Sequence, residues 1–146
     1  MVKQLKINAD ERGSLMEILR SDEEIFDRFG QVYVSLNFPN VIRAWHWHER
    51  QLDFFAVVKG MAKVVLYDSR EDSPTKGEVN EFFLGERNNI LLKIPRRVIH
   101  GYKTIGVEPS LLLNFPTELY DRHSPDEYRL PWNSQEIPYN WDLKHG

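Results

Sequence analysis

Two histidines stand in the run Arg43-Ala44-Trp45-His46-Trp47-His48, and an acid follows at Asp53. A third, His100, ends the run Pro95-Arg96-Arg97-Val98-Ile99-His100 and is followed by Gly101. Imidazole has an ordinary pKa near 6.5, so it can take or give a proton at neutral pH. Side chains alternate along a strand, so rings two residues apart face the same way. A cluster of this kind supports base work on an acidic bond, or ligation of a divalent ion together with a carboxylate. The chain has no cysteine, which excludes disulfides, thiolate metal sites and cysteine nucleophiles.

Those residues need strands to hold them, and the sequence supplies about eight. Val32, Val34 and Leu36 alternate with Gln31, Tyr33 and Ser35, and Ala62, Val64 and Leu66 alternate with Lys63, Val65 and Tyr67. Further runs lie at 42–47, 52–58, 81–84, 90–94, 98–103 and 110–115, with punctuation at Pro39-Asn40, Lys59-Gly60, Ser73-Pro74, Asn88-Asn89 and Gly106. Ser21 with Glu24 has the form of a capping box, and Gly30 stands where a helix stops, so the spacing predicts one short helix over 21–30. After Pro116 the chain turns polar and aromatic and reads as an irregular C-terminal tail around the barrel. The expected fold class is all-β, a double-sheet jelly roll, as a single domain over 1–146.

The chain has 41% hydrophobic residues, enough for a core, and a formal net charge of −3 from 19 basic and 22 acidic residues. That balance gives no electrostatic reason for a nucleic-acid partner or an anionic membrane. The first residues lack a signal peptide's apolar core. The densest apolar stretch, Phe54 to Val58, is far shorter than the roughly 20 residues a membrane span needs. A cytoplasmic protein is expected.

His-x-His, then an acid, then Gly60 resembles the first cupin motif, with Asp53 where Glu is usual. Pro95 to His100 resembles the second, with Arg97 where glycine is usual. In metal-binding cupins His46, His48, Asp53 and His100 would hold one divalent ion. A longer resemblance is carried by Asp10-Glu11-Arg12-Gly13, Val41 to His46, Asp68-Ser69-Arg70, Ser73 to Gly77, Ile94 to Gly101, Leu130 to Asn133 and Tyr139-Asn140-Trp141. Together these resemble the dTDP-4-dehydrorhamnose 3,5-epimerase family, a group of double-stranded β-helix (cupin) proteins.

That resemblance implies an enzyme that needs no metal or other cofactor and epimerises a 4-keto-6-deoxy nucleotide sugar for surface polysaccharide. It implies His46 as base, Tyr120 as acid, Arg12 and Arg43 on the diphosphate, and His100 and Gln51 at the substrate. It also implies a homodimer whose N-terminal segments reach into the partner. The sequence departs from the family twice. Asp53 occupies the place of an enolate-stabilising lysine, and no C-terminal aspartate is evident to orient the base. Asp53 is therefore expected to orient His46 as a carboxylate dyad. The alternatives are a metal-dependent cupin and a non-catalytic relative that binds a nucleotide sugar. For Arg12 the plain reading is a surface ion pair with its acidic neighbours. Strict alternation also sets Arg43 opposite His46, so sharing one pocket requires a bulge or a reach around the rim.

Overall fold

The computed structural model describes residues 1–145. Twelve strands account for its regular structure: β1 Val2–Gln4, β2 Ile7–Asp10, β3 Gly13–Met16, β4 Tyr33–Asn37, β5 Ile42–Trp47, β6 Asp53–Lys59, β7 Met61–Tyr67, β8 Val79–Gly85, β9 Ile90–Ile94, β10 Ile99–Ile105, β11 Ser110–Asn114 and β12 Tyr128–Arg129. One sheet runs β1-β9-β6-β11-β4 and the other β12-β5-β10-β7-β8, while β2 and β3 form a separate hairpin. All pairings are antiparallel. This is the expected jelly roll.

The core lies between the two sheets and is built from Phe55, Val57, Val64, Leu84, Leu92, Ile94, Tyr102 and Leu112. The centre of each sheet is covered outside as well. Leu5 and Ile25 pack on Phe54, Ala56 and Leu91 of the first sheet. The C-terminal tail packs Ile137 and Trp141 on Trp45, Val65 and Ile99 of the second. Burial on both faces explains why Phe54 to Val57 is continuously apolar instead of alternating. Trp45 is thus a core residue beneath the tail, and Trp47 stacks on Tyr128 with ring centroids 5.5 Å apart.

The helix expected over 21–30 is absent; no helix occurs among the described residues. Two short turn bonds form instead, from Glu23 N–H to the Arg20 carbonyl and from Phe26 N–H to the Glu23 carbonyl. The Glu23 carboxylate accepts from Lys3 Nζ at 2.5 Å, and Ile25 is drawn into the outer cluster. Gly30 is no helix cap: a Cβ there would stand 2.5 Å from the Glu118 backbone, so glycine permits two chains to touch. The motif around Asp68 also has a local purpose. Its carboxylate accepts from Arg70, Ser73 and Thr75, which ties the β7–β8 loop together.

A bulge in β5 positions the histidines. His100 faces His46 and Tyr102 faces Arg43, so Ala44 and Trp45 on β5 lie opposite Gly101 alone. Gly101 is required there, because a Cβ would fall 2.8 Å from Ala44 Cα. The extra residue turns both Arg43 and His46 inward.

Candidate active site

Two adjoining cavities open between the sheets. The smaller, about 340 Å³, is lined by Arg43, His46, Tyr102, Ser35 and Phe55 among others. The larger, about 950 Å³, is lined by His48, Arg50, Gln51, Tyr120, Arg122 and Asp126 among others. Tyr33, Glu127 and Arg129 line both. His46, His48 and His100 come together as expected, each offering a ring nitrogen within 4.8 Å of the others. The His46 and His100 ring centroids are 4.1 Å apart.

Asp53 reaches this cluster but not the partner expected for it. Its Oδ2 lies 3.1 Å from His48 Nε2 and 3.3 Å from His100 Nε2, and it makes no ion pair with His46. The reason is register: β6 places Asp53 opposite Ile94, on the side of the cavity where His48 and His100 stand. The expected Asp53–His46 dyad is therefore replaced by a carboxylate between two other imidazoles. Asp53 also stands outside the group of donors that includes His46, so the four residues named for a metal-binding cupin do not form one common set.

The remaining Asp53 oxygen is fully used. Oδ1 accepts from Gln51 Nε2 and from Asn114 Nδ2, both at 2.8 Å. The Asn114 amide orientation is fixed by its own oxygen, which accepts from Phe54 N–H at 3.2 Å. Gln51, expected at the substrate, is thus spent on Asp53 while still lining the larger cavity. Burial by itself would raise the Asp53 pKa, but the contacts with His100 and His48 outweigh it and hold the carboxyl well below its ordinary range.

The other expected residues divide. Arg43 shares the cavity of His46, and its Nε donates to Asn37 Oδ1 at 2.9 Å. Tyr120 lines the larger cavity, with its backbone N–H on Gln31 Oε1. Arg12 does not join them within one chain. It sits at the β2–β3 turn in an ion pair with Asp10, with its side chain 85% exposed. Several lining residues were not singled out from the sequence. Tyr33 accepts from Asn114 Nδ2 at 2.9 Å, and burial pushes its hydroxyl up to about 12. Asp126 accepts from the backbone N–H groups of Glu49, Arg50 and Gln51, and its carbonyl meets His48 Nδ1. The signal for Tyr33 was its place in an alternating strand beside Ser35; nothing local pointed to Asp126.

Known proteins match this architecture. A family described as polysaccharide biosynthesis C-terminal domain matches residues 8–128. A dTDP-4-dehydrorhamnose 3,5-epimerase of Methanothermobacter thermautotrophicus is 30% identical, over 95% of this chain and 77% of that protein. The chain belongs to this epimerase family. A probable low-salt glycan biosynthesis epimerase of Haloferax volcanii is 48% identical, over 99% of this chain and 95% of that one. A dTDP sugar isomerase of Desulfovibrio desulfuricans G20 superposes with a TM-score of 0.92 at 34% identity, covering 97% of this chain and 89% of that one. Within the epimerase family this chain is a divergent member, 30% identical to the Methanothermobacter protein.

His46 and His48 pull the pH dependence of stability in opposite directions. Burial, followed by the neighbouring His100, holds His46 well below the ordinary 6.5. Burial acts the same way on His48, but the Asp53 contact overcomes it and Asp126 adds to the rise, so His48 lies above 6.5. A neutral His46 destabilises the fold as pH falls below 6.5, because the unfolded chain then binds a proton that the native state refuses. His48 stabilises fully below 6.5 and loses that contribution as pH rises through its folded value. Asp53 adds its own loss only below the ordinary carboxylate value of 3.8. From the two histidines, the thermal midpoint is expected to peak near pH 6.5. In a pH series of melting curves, His46→Asn should flatten the acid side and His48→Gln the alkaline side.

Proposed function

We propose that the protein is a nucleotide-sugar epimerase that removes and returns a proton beside the ketone of a dTDP-4-keto-6-deoxyhexose, in the making of a surface polysaccharide. The observation that carries this reading is His46: an imidazole held neutral on the wall of a cavity, with its ring free of carboxylate contact. A C–H bond next to a carbonyl is acidic because the resulting carbanion delocalises into an enolate. Breaking it needs a base that is unprotonated at the working pH and a positive field at the oxygen. His46 supplies the first. Tyr120, across the adjoining cavity, is the acid that returns the proton to the opposite face of the ring.

Guanidinium forks suit a diphosphate. Arg43 brings one to the cavity of His46. Arg12 completes the set in this reading from a second copy of the chain, because its hairpin carries it away from its own His46. The outer face of β4 is suited to such pairing, with Val34, Leu36 and the adjacent Phe38 exposed. No cofactor enters the scheme. The test is incubation with dTDP-4-keto-6-deoxyglucose and its UDP counterpart, reading product stereochemistry by NMR. An epimer formed faster from the dTDP sugar supports the reading; binding of both without turnover identifies a non-catalytic relative instead.

A further inference from the structure

We propose that His48 is a standing imidazolium, held by Asp53 and the Asp126 carbonyl, and that it is the site's positive partner for the oxygen that gains charge when His46 takes its proton. The inference rests on the function proposed above and deepens it.

It follows from counting protons. Each of His48 and His100 has its Nδ1 on a backbone carbonyl, that of Asp126 and that of Val98. A carbonyl can only accept, so each Nδ1 carries a hydrogen, and a neutral ring then has a bare lone pair at Nε2. Both Nε2 atoms confront Asp53 Oδ2, at 3.1 and 3.3 Å, and that oxygen has no aligned hydrogen-bond donor. Two lone pairs against a carboxylate oxygen, buried at 1% exposure, repel one another. One more positive charge must therefore reside among these three groups. Asp53 does not carry it as a neutral acid, because two amides already donate to Oδ1 and stabilise the carboxylate. Of the two rings, His48 is the closer to Oδ2 and the one that reaches a cavity; His100 is 1% exposed.

The charged groups around His48 agree with this. Asp53 faces it from β6 and Asp126 from the tail; of the guanidinium groups lining its cavity, Arg50 is 3.9 Å from Asp126 Oδ2 and Arg129 is held by Glu127 Oε1 at 2.6 Å. His46 and His100 complete its surroundings, each with ring centroids 5.8 Å away. Base and cation thus lie side by side on the inward face of one strand end, at a separation a single sugar ring can span. In the step itself the C–H bond breaks, its proton goes to the free nitrogen of His46, and the electron pair moves onto the carbonyl oxygen as enolate. His48 transfers no proton; it lowers the energy of that oxygen by its charge. Asp53 is a positioning residue, which acts by keeping His48 protonated.

The test begins without substrate. In the whole protein labelled with 15N-histidine, with His48 assigned by its loss in His48→Gln, both ring nitrogens are expected to show imidazolium shifts at pH 8, where an ordinary histidine is neutral. In Asp53→Asn the new amide can turn its oxygen to Gln51 and Asn114 and its NH2 to the two imidazoles. That variant should stay folded while His48 reverts to an ordinary titration. On a substrate the wild type turns over, His48→Gln should lose about 10²–10³-fold in kcat with little change in KM. Asp53→Asn should lose kcat as pH rises through neutrality, where the wild type is flat. A neutral His48 at pH 8 overturns the proposal, as does a stoichiometric metal ion on the purified protein, which would occupy the same nitrogens. An imidazolium with unimpaired kcat in His48→Gln overturns the catalytic role alone. Failure of the wild type to epimerise any nucleotide sugar counts against the proposed function, and the NMR result still decides the charge.

Discussion

Replacing His46 with asparagine is expected to lower kcat by about 10²–10⁴-fold, the usual contribution of a positioned base. The protein should remain folded, because no hydrogen bond to the His46 ring is found among the described residues and asparagine is the smaller side chain. KM should change little, since nothing in the proposed scheme assigns ground-state binding to this ring. In the wild type, the acid limb of kcat/KM should fall below 6.5, following the lowered His46 value. That limb should vanish in His46→Asn. A variant that keeps most of its activity would move the base elsewhere in the cavity, where Tyr33, Tyr102 and Glu127 also carry groups able to take a proton.

The largest expected effect on stability belongs to Asp53→Ala. The carboxylate is 1% exposed and meets two amide donors and two imidazoles. Alanine leaves Gln51 Nε2 and one Asn114 contact unpaired and strands a charge on His48. Breaking a buried pair from one side in this way costs about 3–5 kcal/mol. A urea melt should show the midpoint falling accordingly, with no change in slope. Asp53→Asn keeps the shape and both amide contacts, so its loss should be far smaller. If the two variants were equally unstable, the charge on Asp53 would be the important quantity and not the network.

Much of this site could be read from the chain. Strand alternation placed His46 and His48 on one face, and the position of Asp53 before the Lys59-Gly60 turn placed it in the same pocket. What local spacing could not give was which imidazole the carboxylate meets. That is set by the pairing of β6 with β9 and of β5 with β10, contacts between residues far apart in sequence. The bulge that turns Arg43 inward depends on Gly101, more than fifty positions away, so alternation along β5 alone misplaced the arginine. The 21–30 segment failed for the same reason. Its capping residues describe a helix, but Lys3, Leu91 and Glu118 compete for Glu23, Ile25 and Gly30 and win. Tyr33 and Ser35 face the cavities while Val34 and Leu36 lie outside, the reverse of what hydrophobicity suggests for a lone domain. Asp126, in an irregular tail, could be found only by folding that tail onto the His48 loop.

Hydrogen exchange at the sugar carbons beside the ketone tests the central chemistry most directly. With a dTDP-4-keto-6-deoxyhexose in D₂O, the wild type should place deuterium at each carbon it epimerises, at the same rate after treatment with a chelator. His46→Asn should place none on the timescale of wild-type turnover. Equal deuterium uptake by the two proteins, or exchange that ends when metal is removed, would contradict a free imidazole as the base.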